Sequence, residues 1–221
     1  SYRVAVAAEL PGARPSREIM DSMSILANGL TDVGCDVQER LPDDWTFTPL
    51  METWAELAYA EIGSAMDEPS REAFREQLRM APDSEDALLR GAYRGLDADN
   101  RAFASTLHRR DMFCAALDDL LRDFDVLLLP TSMTTAIPHW PTGDPIPVDG
   151  HDVAYWTVGL GYTTPCNLTG HPAITAPICL SPEGLPIGVQ VIGRRWGDME
   201  LLGFVERLTE FVGPLGRPPI S

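Results

Sequence analysis

Lysine does not occur in this sequence of 221 residues, and all 17 of its basic residues are arginine. A buried lysine can lose its charge and act as a base, whereas an arginine keeps its proton in proteins. The chain therefore supplies no side-chain amine base. It also has no apolar run near the roughly 18 residues of a membrane-spanning helix, and no basic, apolar leader opens it. Neither a membrane location nor secretion is expected.

Basic charge is scarce as well, because 33 acidic residues against 17 basic ones give a formal charge of −16. Such a surface repels phosphate backbones, so nucleic acid is not expected as a partner. The four cysteines form no C-x-x-C pair, which argues against zinc and favours reduced thiols in a cytoplasmic protein. Apolar residues make up 44% of the chain, which is enough for a globular core.

The common catalytic motifs are also absent. The sequence has no G-x-S-x-G elbow, no glycine-rich phosphate loop and no H-E-x-x-H pair. Ser132 lacks a tight glycine turn, so we interpret it as a loop serine that bonds local backbone. His139 and His151 could line a pocket, while His108 is expected to face solvent and His171 to support a turn. By itself the chain offers no catalytic group, and neither a metal nor a cofactor is expected.

Hydrophobic periodicity predicts a strand–helix–strand unit at the start of the chain. The small and β-branched residues of 2–8 indicate a strand covered on both faces. Ser16 can cap a helix that Gly34 ends, and residues 35–41 favour a second strand. The inward positions predicted for this helix are Ile19, Met23, Leu26, Leu30 and Val33.

An acidic helical segment over residues 49–95, interrupted by Pro69 and Pro82, precedes a longer helix over 98–123. The inward positions predicted for the two are Trp54, Leu57, Tyr59 and Ile62, and Phe103, Leu107, Cys114, Leu117, Leu121 and Phe124.

The last part of the chain predicts a strand, a long loop, a strand pair and a helix. FDVLLLPT, residues 124–131, indicates a buried strand whose end can border a ligand, as strand ends do in open α/β sheets. The Pro- and Gly-rich residues 131–162 are expected to lack regular structure. Strands follow over 173–180 and 185–192, and Asp198 can cap a helix over 198–212. We predict an α/β fold with a mixed sheet flanked by helices. The last helix has as its inward positions Leu201, Phe204, Leu208 and Phe211.

Residues 163–202, TTPCNLTGHPAITAPICLSPEGLPIGVQVIGRRWGDMELL, resemble the C-terminal core of the amidase signature family. FDVLLLPT is similar to the strand before that family's substrate loop, and the opening strand–helix–strand is similar to its centre. The resemblance covers nearly the whole chain and is weakest over the helical insertion 49–95. It implies that residues 1–221 are the C-terminal portion of a single amidase signature domain with a mixed, many-stranded sheet.

The family resemblance also implies hydrolysis of an amide C–N bond through a Ser–cis-Ser–Lys triad. Because this sequence has neither a lysine nor a G-G-S-S-G segment, we expect the triad in an N-terminal catalytic half outside it. That half could be a separate polypeptide, a cleaved portion or the rest of a longer protein. A pseudo-enzyme, a non-catalytic binding module that keeps the amidase cleft, or another activity remain as alternatives.

By the same resemblance, residues 131–162 wall the acyl pocket for a small-molecule amide. Asn167 and Gln190 are expected to have structural roles. The expected partner is the catalytic half, the complete enzyme could be a homodimer, and the isolated chain is expected to aggregate and to hydrolyse no amide. The side chains predicted to bind an aryl or otherwise apolar acyl group are Thr131, Met133, Trp140, Tyr155, Trp156, Leu160 and Tyr162.

Overall fold

The computed structural model describes residues 1–216. Its strands are β1 (Arg3–Val6), β2 (Asp36–Glu39), β3 (Val126–Pro130), β4 (Ile146–Val148), β5 (His151–Val153), β6 (Ala173–Leu180) and β7 (Pro186–Ile192). Five of them form one sheet in the order β2-β1-β3-β7-β6, and β4 pairs with β5 separately. β1 is parallel to β2 and β3, whereas β7 is antiparallel to β3 and β6. The predicted mixed α/β class is confirmed.

Helices cover both faces of this sheet. One face carries the cluster formed with α1 (Arg17–Asp32) and α8 (Asp198–Val212). The other carries the cluster formed with α2 (Phe47–Ala65), α5 (Asn100–Asp123) and the segment around α6 (Tyr155–Leu160) and α7 (Thr164–Thr169). None of the helices in the described part of the chain is long and apolar enough to cross a membrane. The helices are α1 (Arg17–Asp32), α2 (Phe47–Ala65), α3 (Glu68–Gln77), α4 (Ala87–Leu96), α5 (Asn100–Asp123), α6 (Tyr155–Leu160), α7 (Thr164–Thr169) and α8 (Asp198–Val212), with a 3-10 turn at Ala81–Asp83.

The opening strand–helix–strand unit is confirmed. Ser16 caps α1, since its Oγ accepts a hydrogen bond from the backbone N–H of Ile19 at 3.4 Å. Gly34 follows the helix with a φ of +89°, a conformation that glycine adopts without strain. Four of the five predicted inward positions are buried, but Val33 is exposed because α1 ends at Asp32.

In the helical segment after β2, helices α2 and α4 lie unusually close together. Gly91 and Gly95 of α4 lie against α2, where a Cβ atom would come within 2.6 Å of the Glu52 carbonyl oxygen and 2.3 Å of that of Glu56. Arg90 and Arg94 of α4 then bond the Glu52 and Glu56 carboxylates at 2.7 and 2.5 Å. α2 and α4 are therefore held at a distance that only glycine allows on this face of α4.

The inward positions predicted for α2 and α5 need correction. Trp54, Leu57 and Tyr59 are half-buried and pack against the core as predicted, but Ile62 is exposed. The fully buried apolar positions of α2 include Leu50, Met51 and Ala55, which were not predicted. In α5, Phe103 is also partly exposed, whereas Cys114, Leu117 and Leu121 are buried as predicted. Charged partners on α4 and α5 draw the polar residue Glu56 inward, a contact that hydrophobic periodicity does not register.

Residues 131–162 are not devoid of regular structure, which corrects the sequence prediction. They contain the β4–β5 hairpin and the short helix α6. The strand pair β6–β7 is confirmed, and its turn is closed by Gly184 with a φ of +82°. In α8, Gly197 rather than Asp198 occupies the cap position, and Phe211 is partly exposed beside Gly29 of α1.

Candidate functional site

A cavity of about 590 Å³ opens where β3 ends, at the carboxyl edge of the parallel strands. Ligands bind at this edge in open α/β sheets, and the volume is within the range of small-molecule sites. Its floor is formed by the ends of β3, β6 and β7, and its wall by the 131–162 segment. The residues that line it are Ile19, Thr131, Ser132, Thr134, Thr135, Ala136, Ile137, Ile146, Tyr155, Trp156, Val158, Gly159, Leu160, Thr175, Pro177, Pro186, Ile187 and Gly188.

The floor is close-packed around Gly188 of β7. A Cβ atom at this position would lie 3.2 Å from Thr131 Oγ1 and 3.3 Å from Thr175 Cγ2. Glycine therefore lets β3, β7 and β6 bring two threonine side chains side by side under the cavity. The Thr131 hydroxyl is buried there and makes no hydrogen bond within the described residues.

The wall is aromatic and aliphatic. Helix α6 presents Tyr155, Trp156 and Leu160, and the two aromatic rings meet edge to face with centroids 5.0 Å apart. Val158 is buried behind them and joins the core cluster on this face of the sheet. The wall is thus anchored to the core through α6 while its aromatic side chains reach the cavity.

No charged side chain lines the cavity within the described part of the chain, although the protein carries a formal charge of −16. The polar groups at its surface are hydroxyls, such as those of Ser132, Thr134 and Tyr155. An uncharged, apolar ligand would therefore lose little hydration free energy on entering the cavity. An ionised group would lose its hydration without gaining a charged partner. The arrangement can hold a neutral ligand but contains no base.

The seven predicted substrate-binding residues divide into two groups. Thr131, Tyr155, Trp156 and Leu160 all line the cavity, so the structure brings them together. Whether they contact a substrate remains a prediction. The other three, Met133, Trp140 and Tyr162, lie elsewhere in the structure.

These three side chains have identifiable structural surroundings. Tyr162 is almost fully buried, and its hydroxyl accepts a hydrogen bond from Leu10 N–H at 2.9 Å and donates one to the Ala13 carbonyl at 2.6 Å. Burial raises the pKa of its hydroxyl. Met133 belongs to the core, and Trp140 donates its indole N–H to the Pro145 carbonyl at 3.1 Å on the exposed side of the loop.

The candidate nucleophiles and bases of this chain are not poised to react. Ser132 Oγ accepts a long 3.5 Å hydrogen bond from the Thr134 backbone, as expected for a loop serine. Burial raises the pKa of the Cys166 thiol to about 12, so the thiolate is not formed near neutral pH. His139 and His151 are exposed and line no part of this cavity.

His171 is instead a buried structural histidine. Its side chain is fully buried after α7, and its Nε2 lies 3.0 Å from Asp118 Oδ1, while Arg195 lies 3.1 Å from the other oxygen of that carboxylate. Burial lowers the pKa of His171, and the neighbouring Asp118 opposes this shift only in part. A structural role near the 170–172 turn agrees with the sequence interpretation.

The two amide side chains also have clear positions. Gln190 is buried in β7 and donates from Nε2 to the Tyr162 carbonyl at 2.7 Å, as predicted for a satisfied core amide. Asn167 is exposed on α7. In the described residues no cluster of His, Cys, Asp and Glu has the arrangement that a metal ion requires.

Sequence reasoning missed the part of the cavity that lies outside residues 131–162. Ile19 enters from the first turn of α1, and Pro177 and Ile187 from the β6–β7 pair. The strand pair itself was predicted, but its sequence did not show that one face of the pair continues into the wall of 131–162.

Comparison with known proteins identifies a single family. The sequence model of the amidase family matches residues 1–202. A fatty acid amide hydrolase of Medicago truncatula is 32% identical over 105 residues, which are 47% of this chain and 17% of that protein. A fatty acid amide hydrolase of Arabidopsis thaliana is 31% identical over 128 residues, which are 58% of this chain and 20% of that protein.

The fold is similar to that of solved amidase structures. A bacterial aryl acylamidase of the amidase signature enzymes has a TM-score of 0.69 at 22% identity, and the match covers 99% of this chain and 46% of that one. A 6-aminohexanoate cyclic dimer hydrolase has a TM-score of 0.65 at 23% identity, covering 99% and 47%. The chain thus spans about half the length of these structures, and its aligned segments are about a fifth of the curated relatives or less.

Proposed function

Because the chain belongs to the amidase signature family, we propose that it forms the substrate-binding half of an enzyme that hydrolyses the C–N bond of an uncharged carboxylic amide. The observation that carries this proposal is the uncharged cavity of about 590 Å³ at the end of β3. Its position is where α/β sheets bind ligands, and its lining suits the acyl part of an apolar amide.

In this proposal, the chain binds the acyl group of the amide and excludes water from it. Trp156, Tyr155 and Leu160 would cover the acyl group of the amide, and full burial of one such apolar group stabilises a complex by about 1.5–3 kcal/mol. The close-packed threonines of the floor limit how deeply the group enters. The amide bond would then lie at the mouth of the cavity, where reactive groups from elsewhere can reach it.

The reactive groups would come from the catalytic half. The family resemblance implies a lysine, a bridging serine and a nucleophilic serine. The neutral lysine takes the proton of the nucleophile through the bridging serine, and the nucleophile attacks the carbonyl carbon. The same proton returns to the nitrogen as the C–N bond breaks, so the amine leaves neutral, and water then hydrolyses the acyl-serine ester to release the carboxylic acid and regenerate the nucleophile. No arginine of this chain can replace that lysine, because its guanidinium does not lose a proton at accessible pH. We therefore assign the triad to residues outside these 221.

The test begins with the coding sequence that adjoins this one. We expect it to encode a lysine and a Gly- and Ser-rich segment, and the two halves together to release p-nitroaniline from the anilide N-(4-nitrophenyl)benzamide, whose acyl group is aromatic. The isolated chain, and the pair with that lysine changed to Ala, should release none above background. Hydrolysis by the isolated chain would contradict the proposal. A pair that binds the anilide but never hydrolyses it would favour the binding-module alternative.

Two tryptophans of the same loop test the acyl-pocket role. Trp156→Ala removes a side chain that lines the cavity and should raise KM for the anilide at least tenfold, given the burial energy of an aromatic group. Trp140→Ala is the matched control, since its indole bonds the Pro145 carbonyl away from the cavity. Equal effects of the two substitutions on KM would place the acyl group outside this cavity.

A further inference from the structure

We propose that the outer edge and bare face of β6, together with an apolar flank of α8, are the surface on which the catalytic half docks. This inference rests on the proposed function, which assigns the triad to another half, and adds where that half binds. We name this region the β6 surface. Its residues are Ala173, Thr175, Pro177, Met199 and Leu202.

The two edges of the five-stranded sheet differ in chemistry. At one end β2 reads DVQE, and its carboxylates are exposed, which is how natural sheets discourage further pairing. At the other end β6 reads AITAPICL and contains no charged residue. No strand pairs with its outer side in the residues that the structure describes. An uncharged edge of eight residues on a strongly acidic protein is expected to be covered by a partner.

One face of β6, like its outer edge, is left uncovered by the residues that the structure describes. Ala176 and Ile178 are buried in the cluster formed with α1 and α8. Ala173, Thr175 and Pro177 alternate with them, face the opposite side of the sheet and are exposed. The core cluster on that opposite side includes Leu127 and Leu129 of β3 and Ile192 at the end of β7, but no residue of β6.

The flank of α8 continues this surface. Phe204 packs against Tyr2 with ring centroids 4.9 Å apart, and Phe211 lies over Gly29 of α1, so one flank of α8 faces α1. Leu202 is roughly 180° around the helix from Phe211 at 3.6 residues per turn. Met199 shares that outward flank and is 77% exposed. Because α8 packs over β6, these two exposed apolar side chains extend the uncharged edge of the strand.

The position of the cavity next to the β6 surface indicates which partner covers that surface. Thr175 and Pro177 belong to the β6 surface and also line the cavity, so a partner docked there borders the place where an amide would bind. A second copy of this chain would bring no lysine to that place. The solved relatives are about twice as long as this chain, and the remainder of such a fold is the partner that supplies both a neighbouring strand and reactive groups.

The test measures association of this chain with the catalytic half, independently of turnover. In the double variant Met199→Glu with Leu202→Glu, we expect at least tenfold weaker binding by isothermal titration, carried out at protein concentrations below the onset of aggregation. The Tm of the isolated chain should be unchanged because both side chains are exposed. The matched control is Ile25→Glu on α1, which is 72% exposed but lies outside the β6 surface and should leave binding unchanged. Amides of residues 173–180 should exchange at least tenfold more slowly in the complex.

Three results would overturn the docking surface. They are binding unaffected by the double variant, an equal loss with Ile25→Glu, and unchanged exchange of the β6 amides. An isolated chain that dimerises and thereby protects β6 would make a second copy the occupant. A complex that forms through β6 but hydrolyses no amide contradicts the proposed function alone, and an active complex insensitive to the double variant contradicts this inference alone. If both halves form one polypeptide, the exchange rates of β6 and the Tm of the whole protein give the same comparison.

Discussion

Strands β3 and β6 belong to one sheet, yet their surroundings differ. β3 reads VLLLP, is buried at every position and has a paired strand on each side. β6 alternates between exposed and buried residues and is paired on one side only in the described residues. Both strands contribute to the same cavity, β3 through the residues that follow it and β6 through Thr175 and Pro177. The comparison shows a site that is complete on its β3 side and open on its β6 side.

The largest change in stability should come from a substitution in β3. Leu128 is fully buried between helices and neighbouring strands, so Leu128→Ala leaves a cavity that the fixed sheet cannot close. We expect a loss of about 2–5 kcal/mol in the free energy of unfolding, measured by urea denaturation of the protein or of its complex. A loss below about 1 kcal/mol would mean that β3 is not the rigid centre of the sheet.

The second effect is at Tyr162, which connects the cavity wall to the core. Tyr162→Phe keeps the ring but leaves the Leu10 N–H and the Ala13 carbonyl without their partner. We expect a loss of about 1–3 kcal/mol in unfolding free energy, because buried polar groups without partners are costly. Tyr155→Phe is the control, since the Tyr155 ring lines the cavity and it should cost less.

The third effect is a pH dependence of folding stability that arises from His171, two residues before β6 begins. Burial lowers the folded-state pKa of His171 below its usual 6.5, so below that pH the unfolded state binds a proton that the folded state does not. Stability is therefore unaffected by His171 above pH 6.5 and falls as pH decreases below it. The facing charges are Asp118 and Arg195.

Thermal melting from pH 7 down to pH 5 measures this dependence. His171→Gln should flatten the decline in Tm over this interval, and the exposed His139→Gln should not. A decline that is equal in wild type and His171→Gln would show that other groups cause it.

The smallest effect should come from β6 itself. Thr175→Ala and Pro177→Ala alter exposed side chains, so each should change the unfolding free energy of the isolated chain by less than about 0.5 kcal/mol. In the complex with the catalytic half the same substitutions should cost more, because both residues would then be covered. Equal costs in the two states would remove the contrast between β3 and β6.

Local patterns account for the parts of the fold that were predicted. Ser16, Gly34 and the four inward positions of α1 follow from capping and helical spacing, which depend on neighbouring residues. The run at β3 and the alternation in β6 and β7 likewise identify strands from short segments. Burial of Glu56 on α2 was missed because the partners that stabilise it on α4 and α5 lie 38 or more positions away in sequence.

The candidate site was predictable only in part. Residues such as Tyr155 and Trp156 were identified because they are apolar and lie in the loop after β3. Tyr162 has the same character but turns into the core, where it bonds backbone groups 152 and 149 positions earlier. Ile19 and Ile187 were missed because they belong to a helix and a strand far from that loop in sequence.

The amino-acid sequence by itself determined the five strands of the main sheet, most helices, the amidase family and the absence of an amine base, because each depends on residue type or on neighbours along the chain. Only the tertiary structure decided, for residues 1–216, which apolar side chains share a cavity, that no charged side chain lines it, and that no strand pairs with the outer edge of β6. The physical reason is that a cavity and a surface form from side chains that chain folding brings together, and their distance in sequence carries no record of that contact.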